Sequence, residues 1–258
     1  MKLFCCSDIH SYYTALKRAL DEAGFDKNNP DHWLVVCGDA FDRGPESEEV
    51  LWFLMSLERK ILVKGNHDLL LEDCCMREIP YSHDFSNGTV RTINDIGGAG
   101  EGNPFEECCN NTLNRTAAYR ASLVNYFETE NYIFVHSWIP VLNKDGLPAH
   151  YTYGRSFEFN PDWRQANAED WNTAMWGNPF AMAMRGLNQT GKTIVFGHWH
   201  CSYGWSRDLG CSEFDTDACW DIYKNEDQKI IGLDKCTAYT GKVNVFVIED
   251  NFLNKEGN

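Results

Sequence analysis

The sequence predicts an α/β fold, and two observations support that prediction. Short apolar runs typical of β-strands alternate with amphipathic segments typical of helices through the first half of the chain, which indicates repeated β-α-β units. Hydrophobic residues make up 43% of the 258 residues, so the chain can bury a sizeable core. We therefore expect strands that are covered by helices.

Two helices are predicted after the first two strand-like runs. The first covers about residues 12–23, where Ser11 has the side chain of an N-cap and Gly24 is a natural stop. The second begins near Pro45. Its buried stripe is predicted to consist of Val50, Leu51, Leu54 and Leu57.

A third helix is predicted from about residue 68 to residue 77. It places the turn of Asn66 and His67 at a helix N-terminus, a position that favours anions. The segments 79–112 and 138–190 show little periodicity, so we expect them to be long irregular insertions near the active site.

The remaining elements lie in the second half of the chain. A helix is predicted from about residue 115 to residue 128. Two strands are predicted at 229–234 and 242–249, joined by a turn at Thr240 and Gly241.

Polar residues that can bind metal ions follow five of the strand-like runs. The runs are Lys2–Cys6, Trp33–Cys37, Ile61–Lys64, Tyr132–Val135 and Thr193–Phe196. The motifs that follow them are Asp8-Ile9-His10, Gly38-Asp39-Ala40-Phe41-Asp42-Arg43, Gly65-Asn66-His67-Asp68, His136 and Gly197-His198-Trp199-His200. In an open α/β sheet, ligands bind in the crevice beyond the carboxyl ends of the strands. The five motifs are therefore expected to meet at one site.

Seven of these side chains form a candidate ligand set for two divalent ions. The first ion is assigned Asp8, His10 and Asp39, with His200 able to complete its set, and the second is assigned Asn66, His136 and His198. Asp39 is the natural bridge, since one carboxylate can give an oxygen to each ion. Nitrogen and oxygen ligands without a thiolate suit Mn²⁺ best, with Fe or Zn²⁺ as alternatives. Because ligands from residue 8 to residue 200 must meet, we expect a single domain over residues 1–258.

Four residues beside the ligands have side chains suited to phosphate chemistry. Two metal ions can clamp a phosphate, and a metal-bound hydroxide would then attack phosphorus in line. His67 is the candidate proton donor to the leaving oxygen, and either Asp68 or Asp42 could orient its imidazole. Arg43 is the candidate ligand for the non-bridging phosphate oxygens, which a guanidinium fork fits well.

Net charge limits the possible partners. The formal charge is -15 at pH 7, which argues against a surface for duplex nucleic acid. No stretch approaches the ~18 apolar residues of a membrane span, and the first apolar run is too short for a signal peptide. We therefore expect a cytoplasmic protein without a membrane partner.

The chain has eleven cysteines, three adjacent pairs among them. No Cys-x-x-Cys motif occurs, so the favoured interpretation is reduced thiols in the cytoplasm. A zinc site is the alternative. Its ligands would be Cys201, Cys211, Cys219 and Cys236, although their spacing is irregular.

The order and spacing of the motifs resemble those of the calcineurin-like metallophosphoesterases. Within that superfamily the chain is most similar to the Ser/Thr protein phosphatase branch with its bacterial and phage relatives. The run Asp42-Arg43-Gly44 is the mark of the branch that hydrolyses phosphoproteins and dinucleoside tetraphosphates. The motifs reach from residue 8 to residue 200, and residues 231–247 resemble the branch's final strand pair. The resemblance implies a mixed α/β (α+β) fold in which two packed mixed β-sheets are flanked by helices, a four-layer sandwich.

The chain departs from the branch at three positions. His200 is more typical of the wider superfamily than of the protein phosphatases, and the other two departures bear on substrate binding. Relatives often have an Asn-Gly-Gly-x-x-Thr loop, which the segment Asn87–Thr92 resembles with one glycine missing. They also carry a second phosphate-binding arginine after a tryptophan, whereas Trp176 is followed by Gly177 and Asn178. Either Arg185 or Arg155 would have to replace that arginine.

Three functions follow as hypotheses. The first is a phosphomonoesterase similar to the Ser/Thr protein phosphatases, which acts on a phosphorylated protein or a small phosphoester. The second is a hydrolase of dinucleoside polyphosphates such as diadenosine tetraphosphate. The third is a non-catalytic scaffold, which is disfavoured because the chain retains His67, Arg43 and all seven candidate ligands. Tryptophans near the motifs are interpreted as packing residues, with a stacking wall for a nucleobase as the alternative.

Overall fold

The computed structural model describes residues 1–98, 104–143, 157–214 and 217–251. The strands in this part of the chain are β1 (Lys2–Cys6), β2 (His32–Cys37), β3 (Lys60–Val63), β4 (Leu123–Val124), β5 (Phe127–Glu128), β6 (Tyr132–Phe134), β7 (Leu142–Asn143), β8 (Phe157–Glu158), β9 (Thr193–Phe196), β10 (Tyr223–Asn225), β11 (Ile230–Gly232) and β12 (Phe246–Glu249).

The α-helices of the same residues are mostly short. They are α1 (Tyr13–Glu22), α2 (Ser47–Ser56), α3 (Asn66–Arg77), α4 (Ser82–Asn87), α5 (Thr89–Gly97), α6 (Phe105–Arg115), α7 (Ala117–Ser122), α8 (Ala168–Ala174), α9 (Pro179–Met184), α10 (Cys201–Leu209) and α11 (Thr237–Thr240). Two 3₁₀ helices, Trp163–Gln165 and Asp217–Trp220, lie between them.

Ten of these strands form two five-stranded mixed sheets. The first has the order β12-β1-β2-β3-β4, in which only the edge strand β12 is antiparallel to its neighbour. The second has the order β10-β11-β9-β6-β5, in which the three central strands are parallel and both edge strands are antiparallel. Strands β7 and β8 pair as a separate two-stranded ribbon.

Alternation of side chains along the central strands builds the layers. In β1, Leu3 and Cys5 point into an apolar cluster shared by both sheets, whereas Phe4 and Cys6 point into the helical layer on the opposite face. Strand β9 shows the same alternation in the second sheet. Val195 points into the shared cluster, whereas Ile194 and Phe196 point into the layer on the opposite face. The predicted fold class, two packed mixed sheets flanked by helices, is confirmed.

The first three helices lie close to their predicted positions. Ser11 does not cap α1, because its hydroxyl group is hydrogen-bonded to that of Ser47 at 2.9 Å. Helix α2 is capped from a distant part of the chain, since the carboxylate of Asp95 accepts hydrogen bonds from the N–H groups of Ser47 and Glu48. Helix α3 begins at Asn66, two residues before the predicted start.

The prediction of an irregular segment at 79–112 is wrong, because helices α4, α5 and α6 occupy most of it. Helix α5 buries a regular face that includes Ile93 and Ile96, but two threonines contribute to the same face. These threonines, Thr89 and Thr92, are fully buried although they are polar.

Two further predictions need correction. The helix expected at 115–128 ends at Ser122, because Leu123 and Val124 pair in parallel with β3. The two strands at the end of the chain do not pair with one another: β11 joins the second sheet and β12 joins the first. Short helices and the β7–β8 ribbon lie within 138–190, and residues 144–156 of that segment are outside the described residues.

The shared apolar cluster should dominate the stability of the fold. Leu3→Ala should lower the free energy of unfolding by about 2–5 kcal/mol, because Leu3 is fully buried between the sheets. Leu209→Ala is the matched control, since Leu209 is 66% exposed and its truncation should change stability by less than about 0.5 kcal/mol. Urea denaturation followed by circular dichroism measures both values. Equal, small losses in the two variants would contradict the proposed core.

Candidate metal centre

The carboxyl ends of the central strands in both sheets meet at one edge of the molecule. Strands β1, β2 and β3 of the first sheet lead into the segments of Asp8, Asp39 and Asn66. Strands β6 and β9 of the second sheet lead into those of His136 and His198. Six of the seven predicted ligands lie close together there, and five of the six are almost fully buried.

Asp39 lies at the middle of this group. Its Oδ2 atom is 3.4 Å from Nε2 of His136 and 3.9 Å from Nε2 of His10 and of His67. Its other oxygen accepts a hydrogen bond from the backbone N–H of His67 at 3.0 Å. The first oxygen is therefore left facing the imidazoles.

Two sets of side chains are close enough to hold a metal ion. One set is His10, Asp39 and His67, and the other is Asp39, His136 and His198; within each set the ligand atoms lie within 4.8 Å of one another. Asp39 belongs to both sets, which is the arrangement that a bridging carboxylate requires. His67 belongs to the first set because it lies beside Asp39. The sequence predicts a different role for it, that of proton donor.

Hydrogen bonds on the far side of two imidazoles favour metal binding. Nδ1 of His10 is 2.9 Å from the carbonyl oxygen of Phe41, and Nδ1 of His136 is 2.9 Å from that of Cys37. A carbonyl accepts only a proton donor, so Nδ1 carries the proton and Nε2 presents a lone pair toward Asp39.

The Asn66 amide provides a test of whether a cation fits. Its Oδ1 atom is 2.7 Å from Nε2 of His136. In the neutral tautomer whose Nδ1–H donates to Cys37, both of these atoms are acceptors. A cation between or beside such acceptors relieves their repulsion, and mixed nitrogen and oxygen donors suit a divalent transition metal. The residues of this set therefore fit a metal ion.

Asp8 is held at the junction of the two sheets. Its Oδ1 atom is 3.8 Å from Nε2 of His10, and its Oδ2 atom accepts a hydrogen bond from the backbone N–H of His198 at 2.9 Å. The hydroxyl group of Thr237 donates to the backbone carbonyl of Asp8 at 2.7 Å.

The backbone of the centre is strained. Several of its non-glycine residues have a positive φ, a conformation that costs energy and persists only where the surroundings enforce it. They are Asp8, His10, Ser11, Asp39, Asp42, Arg43 and His198. Glycines allow the close approach: a Cβ atom on Gly65 would lie 2.1 Å from Oδ1 of Asp39, and one on Gly197 would lie 2.1 Å from Oδ2 of Asp8.

Burial and mutual charge perturb the ionisation of the ligands. Burial raises the pKa of the Asp8 carboxyl group, and the negative charges of Asp234 and Asp39 raise it further. Burial alone would also raise the pKa of Asp39, but the imidazoles of His136, His67 and His10 outweigh it and hold that pKa below its usual range. Burial lowers the pKa of His198 to about 3, so this imidazole is neutral and able to bind a metal ion at physiological pH.

Asp42, and not Asp68, contacts the imidazole of His67. The Asp42 Oδ2 atom is 2.8 Å from Nδ1 of His67, and the Arg43 Nη2 atom is 3.4 Å from its Nε2. Burial lowers the pKa of His67, but the Asp39 and Asp42 carboxylates outweigh it, so the net effect raises that pKa. The side chain of Arg43 is exposed, which places it where the buried centre opens to solvent.

Asp68 has a different set of partners. One carboxylate oxygen accepts the N–H of Gly65 at 2.8 Å, and the other accepts the hydroxyl group of Tyr119 at 2.8 Å. Burial raises the pKa of Asp68 to about 7. In this structure the residue therefore supports the start of α3.

His200 lies apart from the two sets. Its Nδ1 atom is 3.1 Å from a carboxylate oxygen of Glu213, and its ring packs against Trp220. It follows His198 by two residues, but the backbone does not continue as an extended strand there, because φ of His198 is positive and a helix begins at Cys201. The alternation that predicted a shared direction therefore does not apply.

Arg185 and Arg155 are the predicted alternatives for the second phosphate-binding arginine. Arg185 lies at the end of α9, where its guanidinium is 5.9 Å from the ring centre of Phe157 in β8. Arg155 lies outside the described residues. A second phosphate-binding arginine therefore stays a prediction.

Other sequence interpretations are resolved by burial and distance. Trp138 is buried in the core of the second sheet, but Trp176 is 37% exposed with its ring 6.4 Å from that of His198. Neither candidate metal set among the described residues contains a cysteine. Among the described residues, no helix has the length and apolar character that a bilayer crossing requires.

Besides Thr237, three residues that were not predicted contact the centre or the residues next to it. Thr89 donates a hydrogen bond to Asp42, Arg91 donates one to the backbone carbonyl of Arg43, and Tyr119 donates one to Asp68. The sequence signal for Thr89 and Arg91 is the resemblance of Asn87–Thr92 to the branch's glycine-rich loop, and that segment does not include Tyr119.

Comparison with curated proteins finds relatives over part of the chain. The symmetrical bis(5'-nucleosyl)-tetraphosphatase of Proteus mirabilis (strain HI4320) is 43% identical over 72 residues, which are 28% of this chain and 26% of that protein. The enzyme of the same name from Aeromonas hydrophila subsp. hydrophila is 48% identical over 65 residues, which are 25% of this chain and 23% of that protein. The chain thus matches about a quarter of the length of these relatives.

Solved structures extend the comparison to almost the whole fold. A cold-active protein-tyrosine phosphatase from a psychrophilic Shewanella species superposes with a TM-score of 0.56 and 17% identity, covering 97% of this chain and 76% of that chain. At this identity the likeness concerns the fold alone. A sequence model of the calcineurin-like phosphoesterase family matches residues 1–202, which is most of the chain and includes every residue of the two candidate metal sets. The chain therefore belongs to the calcineurin-like phosphoesterase family.

Proposed function

We propose that the protein is a metal-dependent hydrolase of phosphate esters. The observation that carries the proposal is the shared carboxylate of Asp39, which lies in both candidate metal sets while His67 and Arg43 lie beside it. Family membership supports the same activity. Because the matching relatives are covered only in part, the reaction and its substrate are proposals for this chain.

Two divalent ions, Mn²⁺ by preference, are the proposed cofactors. Asp8, His10 and Asp39 would hold one ion, and Asn66, His136 and His198 would hold the other, with Asp39 as the bridge. Bound there, the ions would supply positive charge to the phosphoryl oxygens and would lower the pKa of water. His200 is the least supported of the predicted ligands, because it contacts Glu213.

His67 is the proposed general acid. Its Nδ1–H donates to Asp42, so the proton for the leaving oxygen would come from Nε2. The neighbouring carboxylates raise the pKa of His67, which favours the protonated form that an acid needs. Arg43 would bind non-bridging phosphate oxygens, because its guanidinium lies beside the same nitrogen.

A phosphomonoester, on a protein or a small molecule, is the first proposed substrate class. This choice follows the overall similarity of the motifs to those of the Ser/Thr protein phosphatases, since Asp42-Arg43-Gly44 marks hydrolases of both substrate classes. A dinucleoside tetraphosphate is the second candidate, because the relatives that match the chain over 72 and 65 residues are named symmetrical bis(5'-nucleosyl)-tetraphosphatases. The exposed ring of Trp176 could stack on a base in that case.

The cytoplasm is the proposed location. Buried thiols such as those of Cys5, Cys6 and Cys37 are typical of a protein from a reducing compartment, because disulfides form in oxidising ones.

Product analysis should distinguish the two substrate classes. The protein would be incubated with Mn²⁺ and a phosphoserine peptide, 4-nitrophenyl phosphate, bis(4-nitrophenyl) phosphate or diadenosine tetraphosphate. Orthophosphate from the peptide and the monoester is expected for the first class, and ADP from the tetraphosphate is expected for the second. Chelation of the metal should abolish either activity. A folded, metal-loaded protein that releases neither product would support the non-catalytic scaffold instead.

Removal of the bridging carboxylate should reduce metal binding. Asp39→Asn is expected to bind fewer than two Mn²⁺ ions per chain, because an amide cannot give an anionic oxygen to each ion. Asp84→Asn is the matched control, since Asp84 is also fully buried but lies in α4 and pairs with Arg77. Elemental analysis after dialysis gives the metal content of both proteins. Two ions retained by Asp39→Asn would exclude the bridging role.

Loss of the proposed acid should lower turnover without releasing the metal ions. His67→Asn is expected to reduce kcat on phenyl phosphate by about 10²-fold or more, because the leaving phenoxide then departs without a proton. The measurement compares kcat and metal content with those of the wild-type protein. A wild-type kcat in this variant would remove His67 from the general-acid role.

A further inference from the structure

Segment Asn87–Thr92 contacts the catalytic side of the centre from outside the two sheets. It includes the junction of helices α4 and α5, and four hydrogen bonds link it to the adjacent residues Asp42 and Arg43. Two are made by backbone groups: the N–H of Arg43 donates to the carbonyl of Asn87 at 3.0 Å, and that of Asp42 donates to the hydroxyl oxygen of Thr92 at 3.0 Å. Arg91 donates to the carbonyl of Arg43 at 3.0 Å.

These bonds hold a backbone that would not keep its shape alone. Asp42 and Arg43 both have positive φ values, of 72° and 63°, in a region that non-glycine residues rarely adopt. Gly88 permits the approach, because a Cβ atom there would lie 2.4 Å from the backbone nitrogen of Arg43. The segment therefore sets the position of both side chains.

The fourth hydrogen bond reaches the proton-transfer pair directly. The hydroxyl group of Thr89 donates to Oδ2 of Asp42 at 2.7 Å. The same oxygen is 2.8 Å from Nδ1 of His67. Thr89 and Asp42 are fully buried, so water does not compete for this oxygen.

The other oxygen of Asp42, Oδ1, does not help to orient the carboxylate through hydrogen bonds. Oδ1 is buried and has no hydrogen-bond partner among the described residues. Within the described part of the chain, hydrogen bonds therefore restrain the carboxylate at Oδ2, where Thr89 and His67 are the partners. Without the hydroxyl group of Thr89, the imidazole alone would have to restrain it.

We propose that Thr89 is a positioning residue for proton transfer, which fixes the Asp42 carboxylate so that His67 presents its proton to the leaving oxygen. The inference rests on the proposed hydrolase function and extends it to a residue with no direct access to substrate. In the branch's Asn-Gly-Gly-x-x-Thr loop the position of Thr89 is the second glycine, which has no hydroxyl group. The hydrogen bond from Thr89 to Asp42 is therefore a feature of this chain's own sequence.

The test compares two substrates that differ in their need for an acid. Phenyl phosphate has a poor leaving group and depends on protonation, whereas 2,4-dinitrophenyl phosphate has a good one and does not. Thr89→Val keeps the shape of the side chain but removes the hydroxyl group. It should lower kcat by about tenfold on phenyl phosphate, as expected for the loss of a hydrogen bond to a charged group. The loss on 2,4-dinitrophenyl phosphate should stay below about twofold.

Two further variants separate positioning from stability. Thr89→Ser retains the donor and should restore kcat on phenyl phosphate to within about twofold of the wild-type value. Thr112→Val removes another fully buried hydroxyl group, one that donates to the carbonyl of Ile93 in the same helical layer, and should leave the ratio of the two kcat values unchanged. Equal losses on both substrates in Thr89→Val, or no loss at all, would overturn the proposal.

An NMR measurement on the metal-free protein keeps the inference separate from the proposed activity. The ring Nδ1 proton of ¹⁵N-labelled His67 should give a downfield signal that shifts or disappears in Thr89→Val but persists in Thr112→Val. An unchanged signal in Thr89→Val would overturn the positioning role whether or not the wild-type protein hydrolyses any ester. A wild-type protein that shows the expected signal but no hydrolysis would contradict the proposed function alone.

Discussion

The structure depends on the placement of one buried carboxylate, that of Asp39, where the ends of both sheets meet. Its Oδ2 atom faces imidazoles that come from β1, α3 and β6, so neither sheet can build the centre without the other. The apolar cluster between the sheets fixes their relative position, because Leu3, Val195 and their neighbours interlock there. Packing between the two sheets thus sets the distances between Asp39 and the imidazoles at the strand ends.

Backbone strain and shifted pKa values at the centre both indicate a functional site. Many residues of the motifs adopt positive φ values, and burial and neighbouring charge shift the pKa values of Asp8, Asp39 and His198 from their ordinary values. A fold retains such costs where function requires them. Lone pairs of imidazoles and carboxylates that face one another are unfavourable without a cation, whereas with one they become its ligands.

The helical layer beside the first sheet contributes to the chemistry as well as to the core. Helix α5 caps α2 through Asp95, and the segment before and within α5 holds Asp42 and Arg43 in their strained conformation. Through Thr89 this layer reaches the imidazole that we propose as the acid. Residues distant from the metal ligands along the chain therefore determine how the proton is presented.

The sequence by itself determined the fold class and the ligand types, because both follow from local patterns: apolar runs of strand length, and Asp, Asn or His at the turn after each run. It could not determine which carboxylate contacts His67 or where His200 points. Those outcomes depend on contacts between distant residues, such as Thr89 with Asp42, which are 47 positions apart. Only the packed structure decides them, because a hydrogen bond across such a separation leaves no periodic trace in the chain.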